Sequence, residues 1–89
     1  MKVILEGNKL KTIEEFHKEI REQLDFPDYY GNNLDAMWDC LTGWVEPPVT
    51  IIWKDFEISM KNLGDFACKV KLMFEDAEKE IEGYKLEIY

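Results

Sequence analysis

Asp35 and Asp39 stand four residues apart, a spacing that puts both carboxylates on one face of a helix. Two fixed carboxylates can share acid–base work, hold a divalent cation, or receive cationic groups from a partner. Their surroundings favour the last. From Asp25 to Pro48 the chain carries five acids (Asp25, Asp28, Asp35, Asp39 and Glu46), and all 11 lysines and arginines lie outside that segment. Like charges at this helical spacing cost roughly 0.2–0.5 kcal/mol when exposed. Asp39 also falls late in the expected helix, where the negative end of the dipole disfavours an anion. The aspartate pair by itself is equally compatible with an ordinary solvated face. Its neighbours tip the balance: Phe26, Tyr29, Tyr30, Trp38 and Trp44 supply five of the 12 aromatic residues within the same segment. Aromatic side chains among unpaired charge suit a protein-binding face.

Other chemistries fit less well. Carboxylates that hydrolyse glycosides flank a substrate cleft, whereas Asp35 and Asp39 are neighbours on one helix. Asp35, Asp39 and Glu46 lack the spacing of an EF-hand loop. Cys40 could act as a nucleophile with His17 as base, but no motif adjoins it. A cysteine beside Leu41 on a short helix reads as buried and inert, and His17 reads as a surface or boundary residue. Trp38 and Trp44 could each be core instead of contact residues, and Trp53 reads as core. With one histidine and only Cys40 and Cys68 as thiols, no zinc-type cluster is expected, and both thiols are expected reduced. The net charge of −8 repels nucleic acid and attracts cationic proteins. No enzyme activity, cofactor or membrane association is expected. The 89 residues suit a single domain, monomeric when free, and the start of the chain shows no export signal, so a cytoplasmic location is expected.

The elements that would position these residues follow from periodicity and punctuation. Residues 2–6 read as a short buried strand closed by Gly7. Thr12 opens a helix through a capping box with Glu15, and Ile13, Phe16, Ile20 and Leu24 form its apolar stripe. Pro27 ends that helix near Asp25-Phe26. Residues 26–33 form a loop. Asn32 or Asn33 caps a second helix running to Leu41 or Thr42, stopped by Gly43. Residues 49–53 are apolar on both alternations, as in a central parallel strand covered on both faces. Asp55 caps a third helix with Phe56, Met60 and Leu63 inward. Asp65 caps a fourth with Phe66, Val70, Phe74, Ala77 and Ile81 inward, ended by Gly83. Residues 84–89 alternate as an edge strand. The order β, α, α, β, α, α, β predicts an α/β fold, with three parallel strands and four helices packed mainly on one side.

The run from Pro27 to Glu46, with its core Tyr29-Tyr30-Gly31-Asn32-Asn33-Leu34-Asp35-Ala36-Met37-Trp38-Asp39, closely resembles the barstar family of intracellular inhibitors of barnase-type ribonucleases. The likeness is strong at 26–46, weaker elsewhere, and extends over the whole chain. It implies a three-stranded parallel sheet with four helices, in the order read above. It also implies a one-to-one complex with a basic ribonuclease of the secreted type. Asp39 is then the main anchor, standing in for a substrate phosphate, and Asp35 pairs with a further cationic group. Tyr29 stacks on the enzyme's catalytic histidine. Tyr30, Gly31, Asn33, Leu34, Trp38, Thr42, Gly43, Trp44 and Glu46 complete or border the contact. The family's contact glutamate late in the fourth helix is replaced by Asp76, with Glu75 and Glu80 nearby. Pro47 stands where the family has an aromatic residue before a cis proline, and the Pro47–Pro48 bond is expected cis. An alternative is a binding module for a different basic protein using the same acidic and aromatic face. A metal-dependent hydrolase ranks third.

Overall fold

The computed structural model describes residues 1–89. Strand β1 spans Lys2–Glu6, β2 Val49–Lys54 and β3 Tyr84–Ile88; helices α1 to α4 span Ile13–Leu24, Leu34–Gly43, Phe56–Leu63 and Asp65–Glu80. The strands form one parallel sheet in the order β1-β2-β3, with Val3 opposite Ile51 and Ile51 opposite Leu86. The predicted α/β architecture, with β2 central and β3 at an edge, is what the structure has.

Strand alternation sends Val3, Leu5, Val49, Ile51, Trp53 and Tyr84 to one face, where all six are buried. Helix α1 packs against β1, α4 against β3, and α2 and α3 each against α4. Trp53 centres the core: its ring lies 5.3 Å from Phe16, 4.8 Å from Phe56 and 5.9 Å from Phe74. Burial of such large apolar side chains is the main term favouring the fold. The opposite face is not covered as the apolar alternation of β2 suggested. Ile4 is exposed there and its register partner Ile52 is half-buried, beside Thr50 and the exposed Lys2. No helix crosses that side, so the expectation of a strand buried on both faces is corrected.

Unpaired strand edges invite pairing with other chains. Here both are closed by helix side chains. Gln23 of α1 accepts from the Ile4 N–H at 2.9 Å and donates to the Ile4 carbonyl at 2.6 Å. On β3, the Leu86 N–H donates to the Glu78 carboxylate at 2.8 Å.

Helix ends follow the punctuation with local exceptions. The Thr12 hydroxyl accepts from the Glu15 N–H at 3.1 Å, so the expected N-cap forms; the Glu15 carboxylate accepts from the Thr12 hydroxyl and not from its backbone N–H, which leaves the capping box half made. Asp25 closes α1 in a left-handed conformation, its N–H bonded to the Arg21 carbonyl. Asp55 precedes α3 but its side chain makes no capping bond. Gly64, not Asp65, links α3 to α4, at φ 61° and ψ −140°, a region open essentially to glycine alone. Two inward assignments are also corrected. Ile13 is exposed and His17 is buried in its place; Met60 is exposed, and Ser59 is buried because it accepts a 2.9 Å bond from the Trp53 indole.

Candidate functional site

Helix α2 is fixed from behind and capped in front. Met37, Cys40 and Leu41 are buried, and the Tyr84 hydroxyl on β3 donates to the Leu41 carbonyl. At the other end the Asn33 side-chain oxygen accepts from the Ala36 N–H at 2.8 Å, while its amide donates to the Gly31 carbonyl at 3.3 Å. Asn33→Ala is expected to lower stability by about 1 kcal/mol, the usual worth of such a cap, measured by urea unfolding. The Thr42 hydroxyl donates to the Trp38 carbonyl at 2.8 Å and tightens the last turn. Asp35 and Asp39 therefore point outward from a helix whose position is set by its buried side; both are exposed.

The two aspartates and the half-buried Trp38 form one wall of a groove of about 540 Å³. Lys69, Leu72, Met73 and Asp76 of α4 form the other. Asp76 thus shares a groove with Asp35 and Asp39. Glu75 instead lines a second groove with α3 and the end of the chain, and Glu80 lines neither. The ion pairs of the chain are Lys9–Glu6, Lys71–Glu75 and Lys85–Glu87, so Asp35, Asp39 and Asp76 all lack an internal counter-charge. Lys69, Leu72 and Met73 escaped the sequence reading, because their meeting with α2 is a tertiary event. The signal that exists is their spacing on α4, which with Asp76 follows one helical face.

Beyond the end of α2, Tyr29 and Trp44 are both exposed and meet edge to face, with ring centroids 6.2 Å apart. The Trp44 indole donates to the Asp25 carbonyl at 2.8 Å, which holds it beside the turn closing α1. Gly31, Thr42, Gly43 and Glu46 are exposed along the same stretch and Leu34 is half-buried. The Pro47–Pro48 peptide is cis.

Tyr30 is placed otherwise than expected. It is buried, with its ring 4.9 Å from that of Phe26 and its hydroxyl 2.6 Å from Nδ1 of the equally buried His17. Tyr30 therefore positions the loop from inside and offers no surface to a partner. His17 is buried because this hydroxyl satisfies its ring nitrogen, which corrects its assignment to the surface or boundary. Burial lowers the His17 pKa and, with a smaller contribution from Cys40, raises that of the Tyr30 hydroxyl. Because the folded His17 binds its proton less readily than the unfolded one, its contribution to stability is complete above about pH 6.5 and is lost as pH falls toward the lower folded value. Stability is expected to drop as pH falls below about 6.5, by at most about 1.4 kcal/mol per pH unit, and His17→Gln is expected to flatten that slope. Urea unfolding at several pH values measures both.

Burial, with Asp39 adding to it, raises the Cys40 thiol pKa and makes it a poor nucleophile. Cys40 and Cys68 are both free thiols, the first buried and the second exposed. No three histidine, cysteine or acidic side chains are grouped to hold a metal ion, and no helix is long and apolar enough to cross a membrane.

What the arrangement can do is receive cationic groups on a preset carboxylate pair flanked by aromatic rings. The family model described as Barstar (barnase inhibitor) matches residues 1–89. The chain belongs to the barstar family. It is 47% identical over 81 residues to the "Putative ribonuclease inhibitor YrdF" of Bacillus subtilis (strain 168), covering 91% of this chain and 89% of that protein. Barstar-family members are inhibitors and not enzymes, and the general function of this chain is accordingly ribonuclease inhibition. Within the barstar fold, the Tyr29-Tyr30-Gly31-Asn32-Asn33-Leu34-Asp35 run spans the loop before α2 and the first turn of α2, exposed apart from the buried Tyr30 and the half-buried Leu34.

Proposed function

We propose that this barstar-family chain acts in the cytoplasm by occupying the cationic active-site cleft of a barnase-like ribonuclease, one molecule to one. Asp39 and Asp35 take the places of RNA phosphates, Tyr29 stacks on the catalytic base, and Trp44 braces Tyr29 from the side. Asp76 reaches the rim of the cleft from α4. A ribonuclease cleft gathers arginine, lysine and histidine donors for phosphate, and carboxylates fixed on a helix can accept from them in pairs. The observation that carries this function is the exposure of Asp35 and Asp39 in one groove with no internal cation paired to either. A charge pair left open by its own chain gains most from an external counter-charge.

Two features of the kinetics test it. Occupancy of the cleft requires that a nucleotide bound at the ribonuclease active site compete with the inhibitor. Steering by charge requires that the association rate fall steeply as salt rises, because exposed charges are screened beyond about 8–10 Å near physiological ionic strength. Stopped-flow association at several salt concentrations, with and without a mononucleotide, measures both. A rate indifferent to salt and to the nucleotide would contradict the proposed mode.

A further inference from the structure

The wall that α4 contributes to the groove is not uniformly acidic. Lys69, Leu72, Met73 and Asp76 follow one face of the helix, and Lys69 is the one cation among the groove's lining residues. It is exposed, and it takes part in no ion pair although Asp35, Asp39 and Asp76 line the same groove. Leu72 beside it is exposed as well, so this corner is open to a partner and not folded away.

We propose that Lys69 is a specificity-determining residue of the inhibitor and that it acts by repulsion. Its ammonium weakens the complex with any ribonuclease whose cleft rim is cationic at that corner, and so narrows the set of enzymes the groove accepts. This role rests on the cleft-occupying function proposed above. A partner that brings cations to Asp35 and Asp39 necessarily brings positive charge close to Lys69. Like charges brought together across an interface are a recognised means of rejecting partners. The same charge lowers the steering field of the carboxylates, so it acts on the association rate too. Lys69 makes no ion pair in the free chain, so its replacement by glutamine is expected to leave stability unchanged. A role confined to relieving repulsion among the three aspartates would instead appear as a stability loss.

The test uses barnase as the probe and compares wild type, Lys69→Gln, Lys69→Glu and Lys61→Glu. Lys61 is exposed on α3 and lines no groove, so its reversal makes the same change in net charge elsewhere. Inhibition constants are read at low salt, and urea midpoints for each variant. The expected order is tightening of roughly threefold for Lys69→Gln and roughly tenfold for Lys69→Glu, with Lys61→Glu within about twofold of wild type. Lys69→Gln and Lys61→Glu are expected to keep the wild-type midpoint, and Lys69→Glu to lower it only slightly, since the new acid stands four residues after Asp65. The role is overturned if Lys69→Glu inhibits no better than wild type, if Lys61→Glu matches it, or if Lys69→Glu inhibits less well. Wild-type inhibition with unresponsive Lys69 variants removes this role alone. No binding of barnase by any of the four in titration calorimetry removes the proposed cleft function, and this role with it.

Discussion

Asp39→Ala is expected to abolish tight inhibition while leaving the fold intact. Asp39 is exposed on the last turns of α2, pairs with no internal cation, and lies four residues after Asp35. Removing it therefore breaks nothing inside the chain. It even relieves the like-charge pair, worth roughly 0.2–0.5 kcal/mol, and an anion at the wrong end of the helix dipole. In the complex the same carboxylate would be enclosed by donors that evolved to grip phosphate. Removing one partner from a buried, hydrogen-bonded charge pair costs about 3–5 kcal/mol, because the other charge is left enclosed without compensation. That corresponds to a loss of affinity of roughly a hundredfold to several thousandfold. The inhibition constant and the urea midpoint, measured side by side, check both halves. Unchanged inhibition would remove Asp39 as the anchor, and a large fall in the midpoint would assign it a structural role.

Gly7→Ala is expected to be the most disruptive small change in the fold. Gly7 follows β1, and its N–H donates to the Lys54 carbonyl at 2.8 Å, extending the contact with β2. A Cβ at this position would sit 2.6 Å from the Lys54 carbonyl oxygen and closer still to the Asp55 carbonyl and the Ser59 hydroxyl. Two of these are backbone atoms, and Asp55 already holds a left-handed conformation at φ 54°. Ser59 cannot retreat freely, since it accepts the bond from the buried Trp53 indole. Overpacking of this kind costs about 1–3 kcal/mol. In a domain this small each kcal/mol lowers Tm by roughly 4–8 °C. Gly43→Ala is the matched control: a Cβ there meets nothing within 4 Å, and the position is helical. It is expected to be neutral or slightly stabilising. Equal behaviour of the two variants would show that close packing is not what requires glycine at position 7.

The sequence made the element order legible because its punctuation is strong. Thr12 with Glu15, Asn33 and Pro27 each mark an end by a local mechanism, and local mechanisms are visible in a linear chain; Gly43, expected to stop α2, is instead its last helical residue, and Trp44 caps it. The carboxylate pair and the Tyr29–Trp44 segment were legible for the same reason: four-residue spacing and an absence of bases need no tertiary information. What escaped depended on contacts between distant residues. His17 is buried because a hydroxyl 13 positions along the chain meets its ring. Ser59, and not Met60, turns inward because the Trp53 indole needs an acceptor. Ile52 is apolar on a face no helix covers, so alternation alone overstated its burial. The α4 wall of the groove, with Lys69 and Asp76, exists only once α4 packs beside α2. Tyr30 shows the limit of motif reasoning most clearly. It sits within the motif beside Tyr29, yet one ring faces solvent and the other faces the core.

The central claim is that this chain silences a ribonuclease by filling its cleft. The most direct test is to titrate a fixed amount of a barnase-like ribonuclease with the protein and follow cleavage of RNA. The expected result is a linear fall in activity that reaches zero at one equivalent of inhibitor. Full cleavage in the presence of excess, correctly folded protein would contradict it.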